Sequence, residues 1–314
     1  MTGPSLADIE AAADRIKDRV RRTPFLRARF LLDPPAPGEI LLKLECLQVT
    51  GSFKPRGASN ALASLTPEEI GRGVITASGG NHGLAVSYAA RAADTRAVVY
   101  LPESTASEKA EKIAAWGAEV VVEGSVWDDS NDAALARAEA DGLTYIHPFA
   151  DPRVIAGQGT LGLEMLKQSS HCDTFVIAIG GGGLISGIAT AIKAMKPEAR
   201  IIGVEPVGAP TLTESLAAGR VVTLPRIETA AGTLAPRRST ELNLEIIRQR
   251  VDEIVLVDDQ EMREAARWLW FEMGVAAELS GAAALAAVRA GRISLDAEES
   301  VGLLICGAGR DGFT

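Results

Sequence analysis

Short apolar runs alternate with helix-patterned stretches along most of the chain, and this alternation leaves few folds open. Residues 40–44, 74–77, 97–101, 119–122, 143–146, 175–179, 200–204, 254–257 and 301–306 read as strands. Between them, 54–65 (stopped near Pro67), 81–93, 107–116, 128–140, 184–195, 211–218 (ended by Gly219), 259–273 and 280–290 read as helices, with Asp258 and Ser280 as N-caps. Strand, helix, strand in this order is the signature of an α/β chain with parallel-rich twisted sheets covered by helices. At roughly 100–200 residues per domain, 314 residues make about two domains. The block 73–148 contains its own βα units. We read it as a small domain inserted into a discontinuous larger one, 1–72 plus 149–314.

The net charge of -9 repels a phosphate backbone, so no nucleic-acid partner is expected. Cys46, Cys172 and Cys306 are odd in number, far apart and form no CxxC pair, which points away from disulfides and zinc and toward a reducing cytoplasm. The first ten residues lack the basic and apolar regions of a signal peptide. Residues 174–192 carry no charge, but the four glycines in their middle argue against a membrane helix, and no membrane partner is expected.

Those glycines, Gly180, Gly181, Gly182 and Gly183, follow an apolar strand and lead into Leu184 at a helix start. Backbone N–H groups and the helix dipole make such a turn an anion site. A Cβ there would block a phosphate or forbid the turn. The dinucleotide pattern GxGxxG fails, because Ser186 stands at the third glycine, and no Lys-Ser/Thr follows as in a nucleotide P-loop. A small phosphorylated cofactor fits the remainder. Lys54 lies in Gly51-Ser52-Phe53-Lys54-Pro55-Arg56-Gly57-Ala58, at a loop-to-helix junction. Positive potential there favours a neutral amine, which attacks aldehydes. By itself the motif leaves a solvated surface lysine as the leading reading.

Thr50 to Ala58 resembles the lysine segment of the pyridoxal 5'-phosphate (PLP) enzymes of fold type II, nearest the threonine/serine dehydratases and serine racemases. Further segments match in order: Ser78-Gly79-Gly80-Asn81-His82-Gly83, Asp151-Pro152, Ile155 to Thr160, Gly180 to Leu184, Gly203 to Pro206, and Ser280 to Ala283. The resemblance implies a two-domain fold like the tryptophan synthase β subunit, with the small domain closing over the substrate. It implies that Lys54 holds PLP as a Schiff base, with Phe53 beside the ring and Asn81 donating to O3'. Gly180, Gly181, Gly182, Gly183 and Leu184 would bind the phosphate and Gly232 would line the cofactor. Ser78, Gly79, Gly80, Asn81 and His82 would cradle the substrate carboxylate. Cys306 falls where a Ser or Cys faces the pyridine nitrogen. A neutral thiol stabilises a pyridinium less than a carboxylate does, which suits elimination from Cβ better than transamination. The implied reaction is conversion of L-threonine and/or L-serine to a 2-oxo acid and ammonia, in a homodimer.

The chain departs from that family in places. Serine racemases carry a serine where Gly79 stands, which disfavours racemization here. Thr211 stands where a second carboxylate would accompany Glu205, so no metal is expected, and Glu205 stays open between a structural acid and a weakened ligand. With the sequence running to Thr314, an amino-acid-sensing domain and allosteric control of that type are not expected. His147 and His171 read as structural, and Glu278 as a polar neighbour of the cofactor. Racemization, hydroxyaspartate dehydration, β-replacement and a non-catalytic amino-acid-binding protein are the alternatives.

Overall fold

The apolar strand runs pair into two separate sheets in a computed structural model, which describes residues 3–313. In chain order the elements are α1 (Leu6–Ile16), β1 (Phe25–Arg27), β2 (Glu39–Leu44), α2 (Lys54–Ala63), α3 (Pro67–Arg72), β3 (Val74–Ala77), α4 (Asn81–Ala92), β4 (Ala97–Leu101), α5 (Ser107–Ala115), β5 (Glu119–Val122), α6 (Trp127–Asp141) and β6 (Thr144–Tyr145). There follow α7 (Pro152–Gln168), β7 (Thr174–Ala178), α8 (Gly183–Met195), β8 (Arg200–Pro206), α9 (Thr211–Ala218), α10 (Glu241–Arg250), β9 (Glu253–Val257), α11 (Asp259–Met273), α12 (Leu279–Arg289) and β10 (Ser300–Ile305).

The larger sheet has the order β1-β2-β10-β7-β8-β9 and is parallel except for the edge strand β1. Its central strands β7 and β10 are buried along their whole length, as a sheet covered on both faces requires. The smaller sheet, β5-β4-β3-β6, is parallel throughout. In both, the loops that leave the carboxyl ends of the strands gather on one side, where α/β sheets bind ligands. The apolar cluster beneath α4 is completed by Ala58, Ala61 and Leu62 of α2 and by Val154 of α7, so the two sheets share a packed boundary.

Several sequence expectations shift. Pro67 opens a helix of its own, α3, capped by the Thr66 side chain. Ser280 is not an N-cap: α12 starts one residue earlier, Glu278 holds the cap position, and the Ser280 hydroxyl donates to the Glu278 carboxylate at 2.7 Å. Asp258 does cap α11. The helix α7, 17 residues long, is absent from the periodicity reading because Gly157, Gly159 and Gly162 lower its local propensity. Tertiary contact explains them: a Cβ on Gly157 would lie 2.5 Å from the Arg56 carbonyl oxygen, and one on Gly159 2.9 Å from that of Gly187. The backbones of α2, α7 and α8 therefore touch only because these side chains are missing.

Candidate active site

Four loops from carboxyl strand ends converge. β2 leads through two 3-10 turns to Phe53 and Lys54, β3 leads to Ser78–Asn81, β7 to Gly180–Gly183, and β10 to Cys306. Phe53 N–H donates to the Cys306 carbonyl at 3.1 Å, which fixes the start of α2 against the end of β10. Lys54 Nζ lies 5.2 Å from the Phe53 ring centre and donates to the Pro148 carbonyl at 2.8 Å.

Lys54 sits deep among protein atoms yet keeps accessible surface, the combination a cavity floor gives. Burial lowers its amine to about 8, against the opposing pull of Cys306 and Glu278. The Cys306 thiol is pushed far upward by burial and by Glu278, so it stays protonated, and its Sγ donates to the Ser280 carbonyl at 3.4 Å. Glu278 is also raised by burial. Its Oε1 accepts from Asn81 Nδ2 at 2.8 Å, from Ser280 Oγ at 2.7 Å and from Thr233 Oγ1 at 3.4 Å. Sequence reasoning gave Glu278 a minor place and missed Thr233, Pro148 and Phe149. The neighbours Gly232 and His147 are the only signals that could have found them.

Thr233 closes the circle. A Cβ on Gly80 would meet its methyl at 3.8 Å, and one on Gly180 would meet its carbonyl at 2.9 Å. Gly232 is exposed with open space where a Cβ would point. The glycine loop is bare for a packing reason that stands beside the one the sequence suggested. Gly181 and Gly183 make room for Phe149, whose ring would lie 2.3 Å from a Cβ at 181 and whose carbonyl oxygen 2.5 Å from one at 183. Gly182 adopts φ +92°, a turn that only glycine makes without strain. Beyond it, the first N–H groups of α8 are free of intrahelical partners.

The His82 ring is fully buried, with Nε2 on the Ile146 carbonyl at 3.0 Å, so that nitrogen is the protonated one and Nδ1 has no partner. Burial, then Lys54, hold His82 neutral. His147 Nδ1 accepts from the N–H of Phe149 and Ala150, and burial together with Lys54 lowers it to about 4. Glu205 is fully buried and accepts from Leu212 N–H, Thr213 N–H and Thr213 Oγ1, so it caps the start of α9. Burial raises it to about 7 despite these donors.

A deep amine of lowered basicity, a protonated thiol and a glycine-bounded helix start lie at the carboxyl strand ends of an α/β fold, where enzymes of this class carry their sites. The family model described as pyridoxal-phosphate dependent enzyme matches residues 16–307, and the chain belongs to that family. It is 41% identical over 284 residues to an L-threonine ammonia-lyase of Thermotoga maritima, covering 90% of this chain and 71% of the relative. Among solved structures, maize serine racemase is similar with TM-score 0.92 and 34% identity over 98% of this chain and 94% of that one. The processed form of threonine deaminase isoform 2 from Solanum lycopersicum is similar with TM-score 0.90 and 35% identity, covering 98% and 86%. The donor set fits the cofactor of the family: an amine for the aldehyde, free N–H groups for the phosphate, and a neutral group rather than a carboxylate at Cys306.

Proposed function

We propose that this enzyme removes the β-hydroxyl of L-threonine and/or L-serine, giving a 2-oxo acid and ammonia. The observation that carries this reading is the Lys54 amine, lowered to about 8 and set beside the thiol Cys306. Pyridoxal phosphate, when bound, supplies an aldehyde that an amine captures and an electron-accepting ring that acidifies the Cα proton of the captured amino acid.

The chain's own residues then have defined tasks. Free N–H groups of Gly182, Gly183 and Leu184 hold the phosphate, and Gly180 and Gly181 shape the turn. Gly79 and Asn81 would present backbone donors to the substrate carboxylate and Ser78 its hydroxyl, since the Ser78 N–H is spent on the Tyr100 carbonyl at 3.0 Å and the Gly80 N–H on Ser78 Oγ at 3.3 Å, with His82 supporting the loop from behind. Phe53 would flank the ring, Gly232 would leave it room, and Asn81 would donate to its phenolic oxygen. Lys54 Nζ takes the Cα proton, tethered within reach. Cys306 keeps its proton, so it would offer the cofactor ring a neutral group rather than a carboxylate, which suits loss of the β-hydroxyl. The small unit 73–148 closes over the substrate and excludes water, with Asn81–Glu278 as one of the contacts that join it to the larger unit.

Racemization is the second reading, on the likeness to maize serine racemase. Gly79 weighs against it: a Cβ there would sit 2.4 Å from Thr105 Oγ1, so a side chain at 79 needs Thr105 to move. A panel of L-serine, L-threonine, D-serine and hydroxyaspartates decides. 2-Oxo acid in large excess over D-amino acid is the expected result. No 2-oxo acid from any of them removes the proposal.

Capture of the aldehyde needs the neutral amine. The rate at which cofactor-free protein takes up pyridoxal phosphate therefore rises with pH and levels off above about 8. Stopped-flow absorbance reads it, and a rate still climbing toward pH 10 would show an ordinary surface-like lysine.

Three buried, unpaired cysteines fit a reducing compartment, and we place the enzyme in the cytoplasm. No helix among the described residues is long and apolar enough to cross a membrane. Phe30 (105%) and Leu32 (94%) stand bare, and Leu32 N–H reaches Glu272 of α11, which also carries the exposed Phe271. We read this apolar surface as the contact in a homodimer. A monomer mass in sedimentation equilibrium overturns that.

A further inference from the structure

Two side chains outside all the motifs above grip the glycine loop from behind. Ser239 Oγ donates to the Gly181 carbonyl at 2.9 Å. Asn243 Nδ2, in the first turn of α10, donates to the same oxygen at 2.8 Å and to the Phe149 carbonyl at 3.0 Å. Both residues are buried, Ser239 at 3% and Asn243 at 0% exposure. The other amide atom of Asn243, Oδ1, is buried with no partner. A buried amide with one end unsatisfied is costly, so its donor end must be needed where it is.

The peptide bond is planar and trans, so the carbonyl of Gly181 and the N–H of Gly182 point in opposite directions. Donors that pull the Gly181 oxygen toward α10 thereby turn the Gly182 N–H to the other side, where the free N–H groups of α8 begin. Without them the peptide can rotate, and a carbonyl oxygen facing an anion repels it. The same Asn243 nitrogen ties down Phe149, the residue after Pro148, on whose carbonyl Lys54 Nζ rests.

We propose that Asn243, assisted by Ser239, is a positioning residue that orients the 181–182 peptide for phosphate binding. This rests on reading the tetraglycine turn as the phosphate cradle. The test is equilibrium titration of cofactor-free protein with pyridoxal 5'-phosphate and, separately, with pyridoxal, which lacks the phosphate.

Wild type should bind the phosphorylated form far more tightly. Asn243→Leu removes both donated bonds at similar volume. It should weaken pyridoxal phosphate roughly tenfold while changing pyridoxal less than about twofold. Ser239→Ala removes one donor with little loss of volume. It should move the ratio the same way by a few-fold, and it keeps the test available if Asn243→Leu does not fold.

An equal loss for both ligands would mean a merely structural role and overturns the proposal, as does an unchanged ratio in both variants. If wild type itself fails to distinguish the two ligands, the phosphate reading of the glycine turn falls, and this inference with it.

Discussion

Lys54→Ala should lose turnover by about four orders of magnitude or more, because one amine both captures the cofactor and moves the Cα proton. No neighbour can take its place. His82 spends Nε2 on the Ile146 carbonyl, and its buried Nδ1 stays unprotonated. His147 Nδ1 is engaged by two backbone N–H groups. Cys306 is held as the thiol. The visible absorbance band that borohydride abolishes should vanish with turnover.

Folding should survive, since among the described residues the Lys54 amine makes a single hydrogen bond, to the Pro148 carbonyl. The direction of the stability change is also fixed. An amine whose folded value is about 8, below its ordinary 10.5, costs stability in its charged form at neutral pH. That cost is full below about 8 and gone above 10.5. Cofactor-free Lys54→Ala should therefore resist urea at pH 7 at least as well as wild type, with any advantage fading over that window. A variant that keeps more than about one part in a hundred of the activity would remove Lys54 from the chemistry.

The fold class and the lysine were legible because each leaves a local trace. Strands buried on both faces give uninterrupted apolar runs, so β3 and β4 lie where their patterns put them, and the helices α9 and α11 lie where their own periodicity does. The packing reason for the glycine loop was not legible, because what each glycine avoids is a distant residue. Phe149 lies 32 positions before Gly181, and sequence distance hides that contact. The helix α7 was missed on the same ground, its glycines serving the contacts with α2 and α8. Glu278 looked secondary because its partners Asn81 and Thr233 come from separate loops. Ser280 looked like a cap because serine before an apolar run usually is one, whereas here its hydroxyl serves the carboxylate at 278.

Arg56, two residues after the lysine, should be the costliest residue to change outside the chemistry. It is 1% exposed and forks onto Glu45 at 2.7 and 2.8 Å and onto Glu164 at 2.9 Å. Lys43 completes the group through Glu164, with Thr23 and Gln168 filling the remaining bonds. Two cations and two anions make it neutral, but removing one strands the rest. Burial by itself would raise the Glu45 carboxyl, and the Arg56 guanidinium outweighs it and holds Glu45 below the ordinary range. Stability from Glu45 is therefore present above the ordinary carboxylate range and lost only as pH falls below it.

Arg56→Met reverses that sign. Glu45, fully buried and without its partner, should rise above its ordinary value and be driven to take up a proton. Breaking such a buried pair costs roughly 3–5 kcal/mol, read as a lower urea midpoint. Arg56→Met with Glu45→Leu removes both charges of the tightest pair and should regain a large part of the loss, because a matched apolar pair leaves one less buried ion unsatisfied. A single variant as stable as wild type would mean that Glu164 and Lys43 carry the cluster alone. A double variant no better than the single would place the loss in the shape of α2 rather than in the stranded charge.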